Sequence, residues 1–222
     1  MMSALLITLF ASCSSGKEDD PSGSNGSPEN SRIEDTKWTN RSFDFAIADD
    51  LSWGYFYTDV TNIYFYDNSH GIFYYSRKTE DSDDGHSRTT RICFFEYEVD
   101  GSTVYLEPIT PATPEFPYTL DLSDDVIVYG GEYMYGETID YSDRQWISSY
   151  CGSLGSSEWF CDKQGNLVII GNGAIPDYSS YGETPWSNNL VSSVTIDKGI
   201  TKMGAYAFAD VSLGDVTLRA II

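Results

Sequence analysis

Between Thr36 and Tyr129 the chain breaks into short β-prone runs, and no long helical period interrupts them. The runs are Lys37–Ile47, Trp53–Thr58, Asn62–Tyr66, Gly71–Arg77, Arg91–Val99, Thr103–Glu107, Tyr118–Leu122 and Val126–Tyr129. Turn chemistry separates them. Asp67-Asn68-Ser69-His70-Gly71 joins two runs as a hairpin, and Asp100-Gly101 is the strongest short-range hairpin signal a sequence can carry. Many short strands at hairpin spacing predict an antiparallel meander, closed as a barrel or folded as a sandwich. Pro108 to Pro117 holds four prolines. Each removes a ladder donor, so the stretch reads as a loop or an extended strap between strands.

The aromatic residues of this region come in consecutive groups: Tyr55-Phe56-Tyr57, Tyr64-Phe65-Tyr66, Phe73-Tyr74-Tyr75 and Phe94-Phe95. Side chains alternate faces along a strand, so both faces carry rings. One reading makes one face core, with tyrosines lying flat on the other and their hydroxyls wet. The other makes the outer rings a sugar- or peptide-stacking platform, or the inner ones the lining of a cavity. Trp38, Ile63-Tyr64-Phe65, Gly71-Ile72-Phe73 and Phe95-Glu96-Tyr97-Glu98-Val99-Asp100-Gly101 resemble the lipocalin-like domains of secreted bacterial lipoproteins. That resemblance covers about Thr36 to Leu106 and implies a β domain, which we bound at residues 36–136.

A different pattern governs the last third of the chain. Val194-Thr195-Ile196 and Val216-Thr217-Leu218 stand 22 residues apart. Between them lies a turn, Asp197-Lys198-Gly199. Ile200, Met203, Ala207 and Phe208 then share one face if the segment is a short helix. One strand and one helical turn per ~20–29 residues is the period of a leucine-rich solenoid, whose units bury their apolar flank only against a stacked neighbour. Trp159, Leu167 and Ile169 are expected to begin that apolar seam. Gly171 to Tyr178, Thr184-Pro185-Trp186 and Gly199 to Phe208 resemble the entry segment and first repeat of BspA-type leucine-rich repeat surface proteins, with Val211 standing where that family usually has a cysteine or small polar residue. The resemblance covers about Cys151 to Leu218. It implies a short leucine-rich cap with one short helix within residues 137–222, either packed on the preceding domain or continuing as a longer solenoid. It also implies recognition of extracellular proteins or neighbouring cells. The expected contact residues are Tyr178, Tyr181, Trp186 and Tyr206. For Trp186 the competing expectation is a buried plug at the end of the solenoid.

Residues 1–12 form an apolar run far short of the ~20 residues of a spanning helix, and read as a signal peptide. Phe10-Ala11-Ser12-Cys13 resembles a bacterial lipobox, which implies diacylation of Cys13. Residues 13–35 then form a flexible, lipid-anchored linker, rich in Ser, Gly, Pro and acids. Lys17-Glu18-Asp19-Asp20 resembles the acidic export signal of surface lipoproteins in Gram-negative gut anaerobes. The expected location is the outer membrane, facing outward, with the membrane touched through the anchor alone.

The formal net charge of −21 argues against nucleic acid, which needs a basic footprint, and against docking to anionic headgroups. The 17 tyrosines within a 15% aromatic content are too many for a disordered chain. Catalytic patterns are absent. His70 and His86 lie in expected turns with no nucleophile elbow nearby, no glycine loop leads from strand to helix, and no spacing singles out a carboxylate pair. No cofactor or metal is expected. Glu80 to Gly85 fails the calcium-loop template, because Arg91 falls where the bidentate Glu belongs. Cys151 and Cys161 close a short loop and are the candidate disulfide, while Cys93 reads as a buried free thiol. The function these residues favour is a non-catalytic binding or adhesion module for extracellular protein or glycan. The alternatives are a lipocalin-like carrier of a small apolar ligand and a glycan-binding lipoprotein of a polysaccharide-uptake system.

Overall fold

The computed structural model describes residues 30, 32–47, 54–81, 86–123, 126–209, 211 and 215–218. The signal peptide, Cys13, nearly all of the linker and the tip of the acidic loop lie outside the described residues.

Eight antiparallel strands close into a barrel in chain order: β1 (Thr36–Ile47), β2 (Gly54–Phe65), β3 (His70–Asp81), β4 (His86–Asp100), β5 (Thr103–Pro108), β6 (Thr119–Ser123), β7 (Val126–Tyr129) and β8 (Glu132–Thr138). The barrel resolves the choice that the meander left open. Its closing contact is non-local: β8 pairs with β1 from Thr36↔Thr138 to Thr39↔Tyr135. There the Trp38 ring lies so near Gly136 that an added Cβ would sit 2.8 Å from it. Two expected runs, Trp53–Thr58 and Asn62–Tyr66, are one strand, because Asp59 and Thr61 between them pair in register with Arg77 and Tyr75 of β3. Strand β8 was not expected and runs past the boundary placed at Gly136. Gly130 and Gly131, both at positive φ, make the turn that starts it.

The barrel interior is filled. Phe65, Phe73, Phe95, Tyr97 and Phe116 meet edge-on or tilted, with ring centroids 4.8 to 6.5 Å apart. Ile33 and Asn30 seal one end, the Asn30 amide donating to Asn68 and Tyr97 carbonyls and accepting from Val99 N–H. Phe116 seals the other from the proline strap, which Arg91–Glu115 (3.3 Å) ties to β4.

After the barrel comes the one helix among the described residues, α1 (Tyr141–Ile147), set by a capping box between Asp140 and Asp143. The expected helix at 200–208 is not formed. That stretch is a short strand, β14 (Ile200–Lys202), followed by turns. Gly204 packs so tightly on Pro176 that no side chain fits, Tyr206 takes a left-handed φ of 58°, and Met203 is 54% exposed rather than inward. The remaining strands are β9 (Cys151–Ser153), β10 (Ser157–Cys161), β11 (Asn166–Gly171), β12 (Gly173–Ala174), β13 (Ser193–Ile196) and β15 (Asp215–Leu218). They form a five-stranded sheet in the order β15-β13-β11-β10-β9, with a second small pair, β12-β14. Strands β9, β10 and β11 are antiparallel; β11, β13 and β15 run parallel, as do β12 and β14.

Three apolar clusters result. One fills the barrel and one fills the C-terminal unit. The third is a seam: Tyr64, Tyr66, Ile72, Ile92 and Phe94 on the outer wall of the barrel pack against Ile147, Cys151 and Phe160. The consecutive aromatics follow from this. In Tyr64-Phe65-Tyr66, Phe65 points into the barrel and both tyrosines into the seam, so both faces of β2 are core there. Lys37–Asp143 (3.0 Å) and Arg144–Asp35 pin α1 to the start of β1 at the same seam.

Candidate functional site

The segments 177–183 and 202–207 of the C-terminal unit are zipped together by their backbones. Tyr178 N–H donates to Ala205 O (2.9 Å), Ile175 N–H to Lys202 O (2.9 Å), and Ala205 N–H to the Asp177 carboxylate (2.8 Å). That last bond, together with Lys202 at 3.1 Å, holds the Asp177 carboxyl below its usual range. Glu183 does the same work inside the first loop. Its carboxylate accepts from the backbone N–H and hydroxyl of Ser179 (2.8 and 2.9 Å) and from both groups of Ser180 (3.3 and 3.1 Å), which lowers its pKa.

These bonds hold two exposed rings against each other. Tyr181 (67% exposed) and Tyr206 (47%) meet edge-on at 5.6 Å, with 74° between their planes. Tyr206 sits at φ 58°, where a side chain costs about 1–2 kcal/mol that glycine would not. An exposed ring held in a strained backbone position on a braced loop has little conformational entropy left to lose.

Of the four expected contact residues, two make this pair and two lie beneath it. Trp186 is 0% exposed, stacked on Phe208 (5.8 Å) and edge-on to Trp159 (6.0 Å), with its indole N–H donating to Ala207 O (3.1 Å). It is therefore core and not a contact residue. Tyr178 is half-buried, edge-on to Trp186 at 6.2 Å, and burial raises its hydroxyl pKa.

The expected Cys151–Cys161 bridge is not formed. Cys161 is a free, buried thiol, as is Cys93. The β9–β10 register pairs Cys151 with Phe160, so Cys161, one position on, points to the opposite face. Cys151 lies in the seam and Cys161 in the C-terminal core, on two sides of one sheet. Among the described residues, no group of three or more His, Cys, Asp or Glu side chains could hold a metal ion.

The sequence reading missed the braces, Asp177 and Glu183, because their partners are backbone N–H groups that no residue pattern announces. It also missed the exposed rings Tyr133 and Tyr135, which flank inward Met134 on β8. Their alternation about Met134 was a visible strand signal.

No family model, curated protein or solved structure matches this chain.

Proposed function

We propose that this chain is a non-catalytic binding or adhesion module of a surface lipoprotein, meeting an extracellular protein or glycan through the Tyr181–Tyr206 corner. The observation that carries the reading is the strained, braced and exposed ring pair. Aromatic side chains supply large contact area at low conformational cost, and such rings at a rigid site are what binding surfaces use.

The parallel ladder supports reading the C-terminal unit as a short leucine-rich cap. Ser193 bonds back to Asn166 across 27 residues, within the ~20–29 of such repeats. The small parallel pair β12-β14 is what a second strip of a solenoid would look like. The proposed outer-membrane location and lipid anchor rest on Phe10-Ala11-Ser12-Cys13 and the acidic run after it. The carrier reading is the weaker one, because the barrel interior is occupied by its own rings.

The full chain, immobilised, should be screened against purified extracellular-matrix proteins and neutral polysaccharides. Binding that falls at least tenfold in Tyr181→Ala and Tyr206→Gly, and is unchanged in Tyr105→Ala on the barrel wall, supports the reading. Binding that is indifferent to both ring deletions sinks it.

A further inference from the structure

We infer that an imidazolium at His70 latches the barrel to the C-terminal unit, so that the seam between them loosens when His70 loses its proton.

The histidine stands at the start of β3, at the edge of the seam, with its side chain 12% exposed. Its ring stacks on Tyr66 (6.2 Å, 14°) and tilts against Phe160 of β10 (5.7 Å). Both nitrogens face carboxylates. On the barrel side, Nδ1 lies 3.1 and 3.2 Å from the two oxygens of Asp67, whose Oδ1 also accepts the Ser69 and His70 backbone N–H groups. On the C-terminal side, Nε2 lies 3.5 Å from Glu158 Oε2. A neutral imidazole carries one N–H only, so one of these contacts would set a nitrogen lone pair against a carboxylate oxygen. With both carboxylates ionised, the doubly protonated ring satisfies both.

The surrounding groups point the same way. From β4, Glu96 stands directly opposite His70 in the ladder. The turn after β2 brings Asp67 and the ring of Tyr66; from β10 comes Glu158. The Ser69 hydroxyl, 3.1 Å from Nδ1, adds no charge. Loss of the His70 proton leaves three carboxylates around a largely buried ring, with no cation pairing them among the described residues. Burial pulls the His70 pKa down, but the hydrogen bond to Asp67 and the charges of Asp67, Glu158 and Glu96 outweigh it and leave it raised. Glu158 is raised by burial and by Asp67 and Glu96, with His70 opposing. The Glu158 side chain is 42% exposed, so water solvates part of its charge and His70 supplies the attraction across the seam. Asp67 and His70 belong to the barrel and Glu158 to the C-terminal sheet, so the ion pair bridges the two units. Phe160, two positions along β10, is the ring through which that sheet packs on Phe94.

The test is a pH series on the full chain, from pH 6 to 9. Imidazole NMR follows the His70 charge, and amide exchange, corrected for intrinsic rates, follows the seam and the barrel. The latch predicts a His70 midpoint above the ordinary ~6.5, lowered in Glu158→Gln. Seam amides of α1 and β10 should lose about two- to fivefold in protection as His70 deprotonates, the effect of one partly exposed ion pair, while Phe73 and Cys93 in the barrel hold. His70→Gln should show the loosened seam at every pH. Should that variant not fold, Glu158→Gln reads the same contact. Seam protection that is flat across the His70 titration overturns the latch. So does a loss shared equally by barrel and seam, which would make His70 a general stability element.

Discussion

Replacing Trp186 with alanine removes the largest fully buried side chain among the described residues and opens the centre of the C-terminal cluster. Its ring stacks on Phe208 and meets Trp159 and Tyr178, so the cavity would be walled by rings fixed on three separate segments. Such walls collapse poorly, and Trp→Ala in a rigid core costs ~3–5 kcal/mol. The indole N–H also satisfies the buried Ala207 carbonyl, and orphaning that acceptor adds about 1–3 kcal/mol unless water enters. Together these give a loss of about 4–8 kcal/mol. Trp186→Phe separates the two contributions: it keeps a ring on Phe208 and gives up the hydrogen bond, for about 1–3 kcal/mol. Urea unfolding of both variants, read by tryptophan fluorescence and by amide exchange in β11 and β13, measures the losses. A Trp186→Ala loss below about 1 kcal/mol would refute the reasoning, since no buried indole with that contact set is so dispensable.

Other substitutions test separate parts of the account. Tyr206→Gly relieves a left-handed backbone worth about 1–2 kcal/mol and gives up an edge-on ring contact worth about 0.5–1.5. Thermal unfolding should therefore move little, within about 1 kcal/mol either way, while binding is lost. Gly136→Val drives a side chain into Trp38 where the barrel closes, and should cost about 1–3 kcal/mol in a denaturant midpoint. Burial pushes the thiols of Cys93 and Cys161 up to about 12, so neither should react with maleimide at pH 8 in the folded chain. Unfolding without reductant should expose both; labelling of Cys93 alone would restore the bridge to Cys161. The His70 pKa is raised in the folded state, so its contribution is full below the unfolded value near 6.5 and is lost as pH rises through the folded one. Stability should therefore fall as pH rises from about 6.5 through the folded His70 midpoint, and a His70→Gln variant should lack that slope.

Local chemistry made much of the barrel legible. Asp100-Gly101 makes the β4–β5 turn where the dipeptide predicts it, with Gly101 at φ 60°. The alternation of Phe94-Phe95-Glu96-Tyr97 places rings on known faces. Closure was not legible, because it depends on Trp38 meeting Gly136 from the far end of the domain. The doubled aromatics were visible as a puzzle, but their explanation, Phe160 and Ile147, lies in a later unit. The segment at 200–208 misled for a physical reason. A helical period needs a backbone free to coil, and Gly199 and Gly204 are pressed on the backbones of Gly171 and Pro176. Cysteine spacing misled likewise: Cys151 and Cys161 are near in sequence, but strand parity puts them on opposite sides of one sheet. In the candidate site, the exposed tyrosines were readable as a group. Which of them are displayed and which support them follows from loop bracing by Asp177 and Glu183, which composition does not carry.

The central claim is that the C-terminal ladder is docked on the barrel through the aromatic seam and holds its tyrosine corner rigid. Amide hydrogen exchange across residues 166–218 of the full chain at pH 6 tests it most directly. The account predicts protection at Leu167, Ile169 and Val194 comparable to Phe73 and Cys93 in the barrel, with slow exchange at Tyr178 and Ala205, whose N–H groups zip the two loops. Exchange there at the rate of an unstructured chain, with the barrel strands still protected, would contradict it.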